Sequence, residues 1–285
     1  MVYDAAIIGS GPAGLSAALN LKLHNKSLIW FGAADMSEKV ARSEKIANYP
    51  GMGLISGAEL NAGFERHRQE MGLELTDRRV TTITEMGGQY MLLADNDIFE
   101  ARTVLLTIGV VAAKGFAGEE HLLGRGVSYC ATCDGFLYKG KRIAVFCGAA
   151  RYEHEVAYLA ELAEKVYLFA PYGSSLQLPN VECPSLPIKA IEGDTRVEGI
   201  RLSDDSTLAV DGVFCLRNAV APGTLLPGLA MDGIHIAVDG AQATNLPGCY
   251  AAGDCTGRPY QIAKAVGEGN VAAHSMIEYL ASHKD

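Results

Sequence analysis

Apolar runs of strand length alternate with a helix-length segment at the start of the chain. Residues 3–8 and 27–31 are mostly apolar, and residues 12–23 between them form a longer apolar and polar mixture that is typical of a helix. A βαβ unit is therefore predicted at the amino terminus. The same patterns predict a further helix and three further strands, at 60–71, 80–85, 90–94 and 103–108.

The strand and helix pattern of the first unit returns in the second half. A strand is predicted at 142–147 and another at 166–170, and the helix between them has an apolar face that contains Val156 and Leu159. Two such units predict an α/β fold with two Rossmann-like, three-layer domains.

Two Pro- and Gly-containing segments predict where the chain crosses between these domains. They lie near 113–118 and 245–248. One domain is therefore expected to be discontinuous, with residues 1–112 and 243–285, and to contain residues 113–242 as an inserted domain.

The composition narrows the possible functions. The 285 residues include 24 basic and 33 acidic side chains, with a formal net charge of −9. This charge argues against a nucleic-acid partner, which would attract a basic surface. No segment has the basic start of a signal peptide, and the apolar run 103–113 is too short to span a bilayer. We therefore expect a cytoplasmic protein without a membrane partner.

A glycine-rich turn follows the first predicted strand and begins the first helix. It reads Gly9-Ser10-Gly11-Pro12-Ala13-Gly14. Gly9 allows the tight turn, Gly11 lets the backbone approach a pyrophosphate, and Gly14 lets the helix pack close to the strand. The turn therefore predicts a dinucleotide site. A carboxylate for the ribose is missing at the end of the second strand, and Asp35 is the nearest candidate.

Two cysteines near the middle of the chain are spaced as in a redox dithiol. Cys130 and Cys133 can close a small disulfide ring, and Asp134 follows directly with a carboxylate that could move protons. The alternative is half of a zinc site, but such a site needs four ligands and no second C-x-x-C exists, so no metal is predicted. Four other cysteines are expected to be small core residues: Cys183, Cys215, Cys249 and Cys255.

The second βαβ unit lacks the glycines of the first. Cys147, Ala149 and Tyr152 occupy the three fingerprint positions, and their Cβ atoms would crowd a pyrophosphate. A second dinucleotide is therefore expected to bind poorly there.

Five motifs together make the chain resemble the low-molecular-weight thioredoxin reductases over nearly its whole length. They are Gly9-Ser10-Gly11-Pro12-Ala13-Gly14, Asn48-Tyr49-Pro50-Gly51, Gly124-Arg125-Gly126-Val127, Cys130-Ala131-Thr132-Cys133-Asp134-Gly135 and Tyr250-Ala251-Ala252-Gly253-Asp254. The resemblance implies FAD as the cofactor, thioredoxin as a partner and a homodimer. It implies catalytic roles for Cys130, Cys133 and Asp134.

The resemblance also implies a set of FAD contacts outside the glycine turn. Asp254 would lie at the ribityl-phosphate region, and Gln261 would lie close to the isoalloxazine ring. The complete set implied around the cofactor is Gly9, Gly11, Pro12, Ala13, Gly14, Asp35, Asn48, Val80, Gly109, Gly253, Asp254, Gln261, Ile262 and Ala263.

Departures from the family pattern concern the electron donor. No arginine that could bind a 2′-phosphate occurs between Arg151 and Arg196, and Leu216-Arg217-Asn218 replaces the family's Ala-Ile-Gly signature. In these departures the chain resembles the ferredoxin-dependent flavin thioredoxin reductases. The resemblance therefore implies ferredoxin as the electron donor. Three alternatives stay open: an NADPH-dependent thioredoxin reductase, a disulfide oxidoreductase with a second flavin in the vacated pocket, and a non-catalytic FAD-bound redox sensor.

Overall fold

The computed structural model describes residues 1–110, 115–217 and 221–283, with Cys133 described by its backbone only. The helices are α1 (Pro12–Leu23), α2 (Glu38–Ala41), α3 (Gly57–Glu70), α4 (Ala131–Asp134), α5 (Glu153–Leu162), α6 (Pro222–Leu225) and α7 (Ile262–Ser282). Short 3₁₀ turns occur at Gly135–Tyr138, Ala150–Tyr152 and Asp254–Thr256. The strands are β1 (Val2–Ile8), β2 (Leu28–Phe31), β3 (Val80–Met86), β4 (Gln89–Ala94), β5 (Asp97–Leu106), β6 (Val127–Ser128), β7 (Arg142–Cys147), β8 (Lys165–Phe169), β9 (Val181–Glu182), β10 (Ile188–Glu192), β11 (Gly199–Leu202), β12 (Thr207–Ala209), β13 (Gly212–Leu216), β14 (Met231–Asp232), β15 (His235–Ile236) and β16 (Cys249–Ala251).

The chain divides into two compact units. Unit 1 contains Met1–Ala112 and Pro222–Asp285, and unit 2 contains Ala113–Ala221. By this division the chain leaves unit 1 after Ala112 and returns to it at Pro222, whereas the sequence pattern places the return near 243. Residues after 222 fold with unit 1 because Asn245 hydrogen-bonds the backbone of that segment, donating to Gly228 and accepting from Ala230.

Unit 1 is built on a six-stranded sheet. Five strands follow the order β2-β1-β5-β4-β3, and the sixth, β16, pairs with the second half of β5. Strand β5 begins at Asp97, before the predicted 103, because its first half pairs with β4 in an antiparallel hairpin, and it ends at Leu106. Its second half is parallel to β1 and β16. Helix α1 begins with Pro12, whose missing N–H costs nothing at a helix start. Helix α7 packs so closely on α1 that a Cβ at Gly269 would lie 2.2 Å from the Ala13 carbonyl oxygen.

Unit 2 has three layers. A parallel sheet in the order β6-β13-β7-β8-β9 forms the centre, and α5 covers one face through Val156 and Leu159. The antiparallel sheet β10-β11-β12 belongs to the apolar cluster on the other side, with Ile191 and Ile200. Both βαβ units and the α/β fold with two Rossmann-like domains are thus confirmed.

None of the helices within 1–110, 115–217 and 221–283 is both long enough and apolar enough to cross a membrane. Across the same residues, no cluster of three or more His, Cys, Asp or Glu side chains could hold a metal ion.

Candidate active site

The glycine turn after β1 is held by three hydrogen bonds around Gly9. Its N–H donates to Phe31 at 2.8 Å, and its carbonyl accepts from the Trp30 indole and the Thr107 hydroxyl, each at 2.9 Å. Gly9 has φ +120°, and a Cβ there would lie 2.2 Å from the Thr107 carbonyl oxygen. A Cβ at Gly14 would lie 2.1 Å from the Gly9 carbonyl oxygen. Only glycine therefore fits both positions, as the fingerprint predicts.

Gly11 differs from its two neighbours, because its surroundings are open. A Cβ there would have no neighbour within 4 Å, and its φ of −74° suits any residue. Helix α1 starts at this point without a side-chain cap and without an acidic residue in its first turn. The first-turn N–H groups of Ala13 and Gly14 can therefore take a phosphate, and the open cradle fits the pyrophosphate of FAD.

The turn after β16 brings two further predicted residues beside side chains that are distant in sequence. Asp254 follows Gly253 and forms an ion pair with Lys39, a residue that lies in none of the sequence motifs. The Asn48 amide donates to the Gln261 side-chain oxygen at 2.6 Å. Gln261 is the N-cap of α7, so Ile262 and Ala263 form its first turn.

Three predicted cofactor residues lie away from these contacts. Asp35 is exposed on the loop after β2, with its carbonyl accepting from the Asn61 amide. Val80 is buried at the start of β3, where it pairs with Ala94. Gly109 has φ +68° and follows β5. No hydrogen bond among the described residues joins Asp35 or Val80 to the glycine turn, so their contact with the cofactor stays a prediction.

The predicted dithiol segment starts directly after β6. Cys130 is disulfide-bonded and nearly buried, and its N–H donates to the Ser128 hydroxyl oxygen at 3.1 Å. The Ser128 hydroxyl donates to Asp134 Oδ2 at 2.6 Å, so Ser128 ties the carboxylate to the backbone of Cys130. The side chain of Cys133 lies outside the described part of the chain. Ser128 was missed from sequence because its partners become neighbours only through the turn at α4.

The other five cysteines are free thiols. Cys215, Cys249 and Cys255 are buried, as predicted for core residues. The prediction was wrong for Cys183, which is exposed just after the short strand β9. Residues 181–187 are all exposed or half-buried, so the segment offers no buried position for the Cys183 side chain.

Side chains of unit 2 form hydrogen bonds with one another around the second fingerprint region. The Cys147 thiol donates to the Ala149 carbonyl at 3.3 Å, and burial raises the pKa of this thiol. Helix α5 starts with Glu153 and Glu155 in its first turn. The Glu153 carboxylate accepts hydrogen bonds from the Tyr172 hydroxyl at 2.9 Å and from the Ser174 hydroxyl. The start of a helix normally attracts a phosphate, but at the start of α5 an acidic side chain already occupies the first turn.

A buried ion pair lies at the neighbouring strand end. Arg217 follows β13 and forms two hydrogen bonds with Glu119, at 2.8 and 2.9 Å. Its guanidinium also lies 4.7 Å from the ring centre of Phe116 and 5.0 Å from that of Phe146. In open α/β sheets, ligands bind at the strand carboxyl ends where the strand order reverses, which here is between β13 and β7. The pair thus lies at the edge where a nucleotide would bind.

The chain is similar to several proteins of known family and structure. Residues 3–172 match the pyridine nucleotide-disulphide oxidoreductase family. A thioredoxin reductase of Helicobacter pylori is 33% identical over 99% of this chain and 100% of that protein. The crystal structure of a ferredoxin-flavin thioredoxin reductase from Clostridium acetobutylicum is 45% identical, with a TM-score of 0.89 over 98% of each chain. A thioredoxin reductase structure from Gloeobacter violaceus has a TM-score of 0.81 and 28% identity over 99% of this chain and 95% of that one.

The fold and the two sites define a flavin-linked disulfide oxidoreductase, in which a dinucleotide cradle occurs together with a disulfide-bonded cysteine segment. The chain belongs to the pyridine nucleotide-disulphide oxidoreductase family and is an FAD-dependent enzyme homologous to the thioredoxin reductases. The predictions of family, fold, cofactor and enzymatic character are thus confirmed.

Proposed function

We propose that this enzyme reduces thioredoxin with electrons that reduced ferredoxin delivers to FAD. The electrons leave FAD through the Cys130–Cys133 disulfide. The observation that carries this proposal is the set of charged side chains at the strand ends of unit 2, where Glu153 begins α5 and Arg217 pairs with Glu119. A pyridine nucleotide would bind at this edge in a relative that uses NADPH.

The two fingerprint helices differ in their charge. Helix α1 has no acidic residue in its first turn, whereas α5 has Glu153 and Glu155. A nucleotide phosphate at the start of α5 would face the Glu153 carboxylate. Two unit charges about 4 Å apart repel by about 4 kcal/mol at an effective dielectric constant near 20, which is about a 10³-fold loss of affinity.

The Arg217–Glu119 pair adds a second obstacle. Both side chains are largely buried, and Arg217 is enclosed by two aromatic rings. A nucleotide that displaced Arg217 would leave the buried Glu119 without its charged partner, which typically costs about 3–5 kcal/mol. Unit 2 therefore disfavours NADPH through its charged groups.

Similarity to solved structures supports the choice of donor. The two Clostridium acetobutylicum structures are named ferredoxin-flavin thioredoxin reductases, and the second is 42% identical with a TM-score of 0.91. Curated relatives from Helicobacter pylori and Treponema pallidum are named thioredoxin reductases, which supports thioredoxin as the substrate.

The dithiol segment also presents a surface suited to a protein substrate. Phe136 and Leu137 follow the cysteines directly and are 63% and 52% exposed, although both are large and apolar. Exposed apolar side chains in one group are typical of protein contacts.

The family resemblance also leads us to expect a homodimer. Solution scattering or sedimentation would test this by comparing the mass in solution with the 30.2 kDa of one chain.

The chemistry of this segment follows from its hydrogen bonds. FAD, when bound, supplies two electrons for the disulfide. The disulfide takes two electrons and two protons and becomes a dithiol, and Asp134, held by Ser128, is placed to exchange a proton with it. One thiolate then attacks the thioredoxin disulfide to form a mixed disulfide. The second thiolate displaces reduced thioredoxin and restores the enzyme disulfide.

Anaerobic flavin bleaching tests the donor. Reduced ferredoxin should bleach the bound FAD within turnover time, whereas NADPH and NADH should do so very slowly. Dithionite serves as the control that the flavin is reducible in each preparation. Rapid, stoichiometric bleaching by micromolar NADPH would overturn the proposed donor.

A further inference from the structure

The turn that carries Asp254 is held by two charged side chains of α7. Lys264 Nζ donates to the Gly253 carbonyl at 2.9 Å and to the Thr256 hydroxyl oxygen at 3.1 Å. Glu268 Oε2 accepts from the Gly253 N–H at 2.8 Å and from the Thr256 hydroxyl at 3.0 Å. The two side chains also pair with each other at 2.9 Å. The peptide groups on both sides of Gly253 are therefore held by one ion pair.

The backbone conformation of Gly253 is one that glycine adopts readily and other residues rarely do. Its φ of +89° and ψ of −149° lie where residues other than glycine are rarely found. A Cβ at Gly253 would come within 3.2 Å of the Ala13 side chain, so the turn lies directly against the fingerprint helix. Small shifts of the turn would therefore move Asp254 relative to the start of α1.

The charges around this turn alternate in sign. Glu268 and Lys264 form one pair, with side chains only 19% and 17% exposed, and Asp254 and Lys39 form the other. Because the inner pair is shielded from water, each of its charges acts on nearby groups more strongly than an exposed charge would. Together the two charges of the inner pair nearly cancel.

We propose that Lys264 and Glu268 are positioning residues for FAD, which fix the Gly253–Asp254 turn and balance the electrostatic potential at the cofactor. The proposal rests on the placement of Asp254 against FAD, and not on the identity of the electron donor or of the protein substrate. Reduction adds negative charge to the cofactor. A lost positive charge at Lys264 should therefore disfavour the reduced form, and a lost negative charge at Glu268 should favour it.

Glu268→Gln is a clean charge variant. All three contacts of Glu268 use the same oxygen, Oε2, and the amide oxygen of Gln can accept the same bonds. The turn should keep its position while the negative charge disappears. Lys264→Met removes the positive charge and three donated bonds while keeping much of the side-chain length. Glu278→Gln is the matched control, because it makes the same charge change on an exposed face of α7.

The experiment measures the FAD dissociation constant of apoprotein by fluorescence and the two-electron potential of the holoprotein against reference dyes. Glu268→Gln should shift the oxidised-to-reduced equilibrium by up to about tenfold toward the reduced form, about +30 mV. Lys264→Met should shift it in the opposite direction and weaken FAD binding at least about tenfold. Glu278→Gln should match the wild type in both measurements.

Two results would overturn the proposal. One is a wild-type potential and a wild-type FAD affinity in Glu268→Gln and in Glu268→Ala. The other is a shift of Lys264→Met and Glu268→Gln in the same direction, which would indicate a role in folding alone. Neither measurement uses ferredoxin or thioredoxin, so an error in the proposed function would not alter the outcome. If Lys264→Met does not fold, the sign of the shift in Glu268→Gln still decides.

Discussion

The substitution Gly11→Ala should separate cofactor binding from folding. Gly11 has φ −74° and ψ −179°, and an added Cβ would meet no atom within 4 Å, so the apoprotein can accept alanine without strain. Alanine at an N-cap costs up to about 1 kcal/mol. The restricted unfolded chain returns about 0.4–1 kcal/mol. The unfolding temperature of the apoprotein should therefore change by no more than about 2–4 °C.

FAD binding should respond far more strongly to the same methyl group. The methyl group would stand where the pyrophosphate approaches the start of α1, and it would push the phosphates away from the helix N–H groups. Hydrogen bonds to charged groups contribute about 1.5–3 kcal/mol each. The loss of two of them would weaken FAD binding by about 10²–10⁴-fold.

Gly14→Ala is the matched variant, and it should destabilise the fold of the apoprotein itself. Its Cβ would lie 2.1 Å from the Gly9 carbonyl oxygen, so α1 must move away from β1 in the apoprotein as well. Such overpacking typically costs about 1–3 kcal/mol. Thermal unfolding of apoprotein and fluorescence titration with FAD would be measured for both variants. The reasoning fails if Gly11→Ala destabilises the apoprotein as much as Gly14→Ala does, or if Gly11→Ala binds FAD like the wild type.

Three further predictions concern the thiols and the carboxylate. Cys130→Ser or Cys133→Ser should abolish thioredoxin reduction with FAD still bound, because no other route joins flavin and substrate in the proposed scheme; turnover by the double variant would refute the route. Asp134→Asn should keep the fold and slow disulfide reduction by about 10²–10⁴-fold, since an amide cannot exchange the proton; wild-type rates in stopped flow across pH would make it an ordinary turn residue. Iodoacetamide at pH 8 should label Cys183 in the oxidised protein and spare the buried thiols, as peptide mass mapping would show. Burial raises the pKa of Cys249 and of Cys255 to about 12, so only about 10⁻⁴ of each thiol is thiolate at pH 8. Labelling of these two thiols should therefore increase as the pH rises. Fast labelling of either thiol at pH 8 would contradict its burial.

Sequence alone determined the features whose physical cause is local. The roles of Gly9 and Gly14 follow from one turn between a strand and a helix. The C-x-x-C spacing by itself brings the backbone of Cys130 close to that of Cys133. The loss of the second fingerprint was equally visible at Cys147, because a Cβ at a glycine position is a local obstacle. The alternation of strands and helices likewise predicted both βαβ units.

Only the tertiary structure decided which distant polar side chains meet. Glu119 and Arg217 are 98 residues apart, and Lys39 and Asp254 are 215 apart. Such pairs follow no period along the chain, since the order of strands in the sheet brings them together. The return of the chain to unit 1 at Pro222 likewise involves a residue further along the chain, since Asn245 forms two hydrogen bonds with the backbone of this segment. Local backbone preference thus determined the helices, the strands and the cysteine segment. Long-range packing decided which charged side chains lie next to each other around each site.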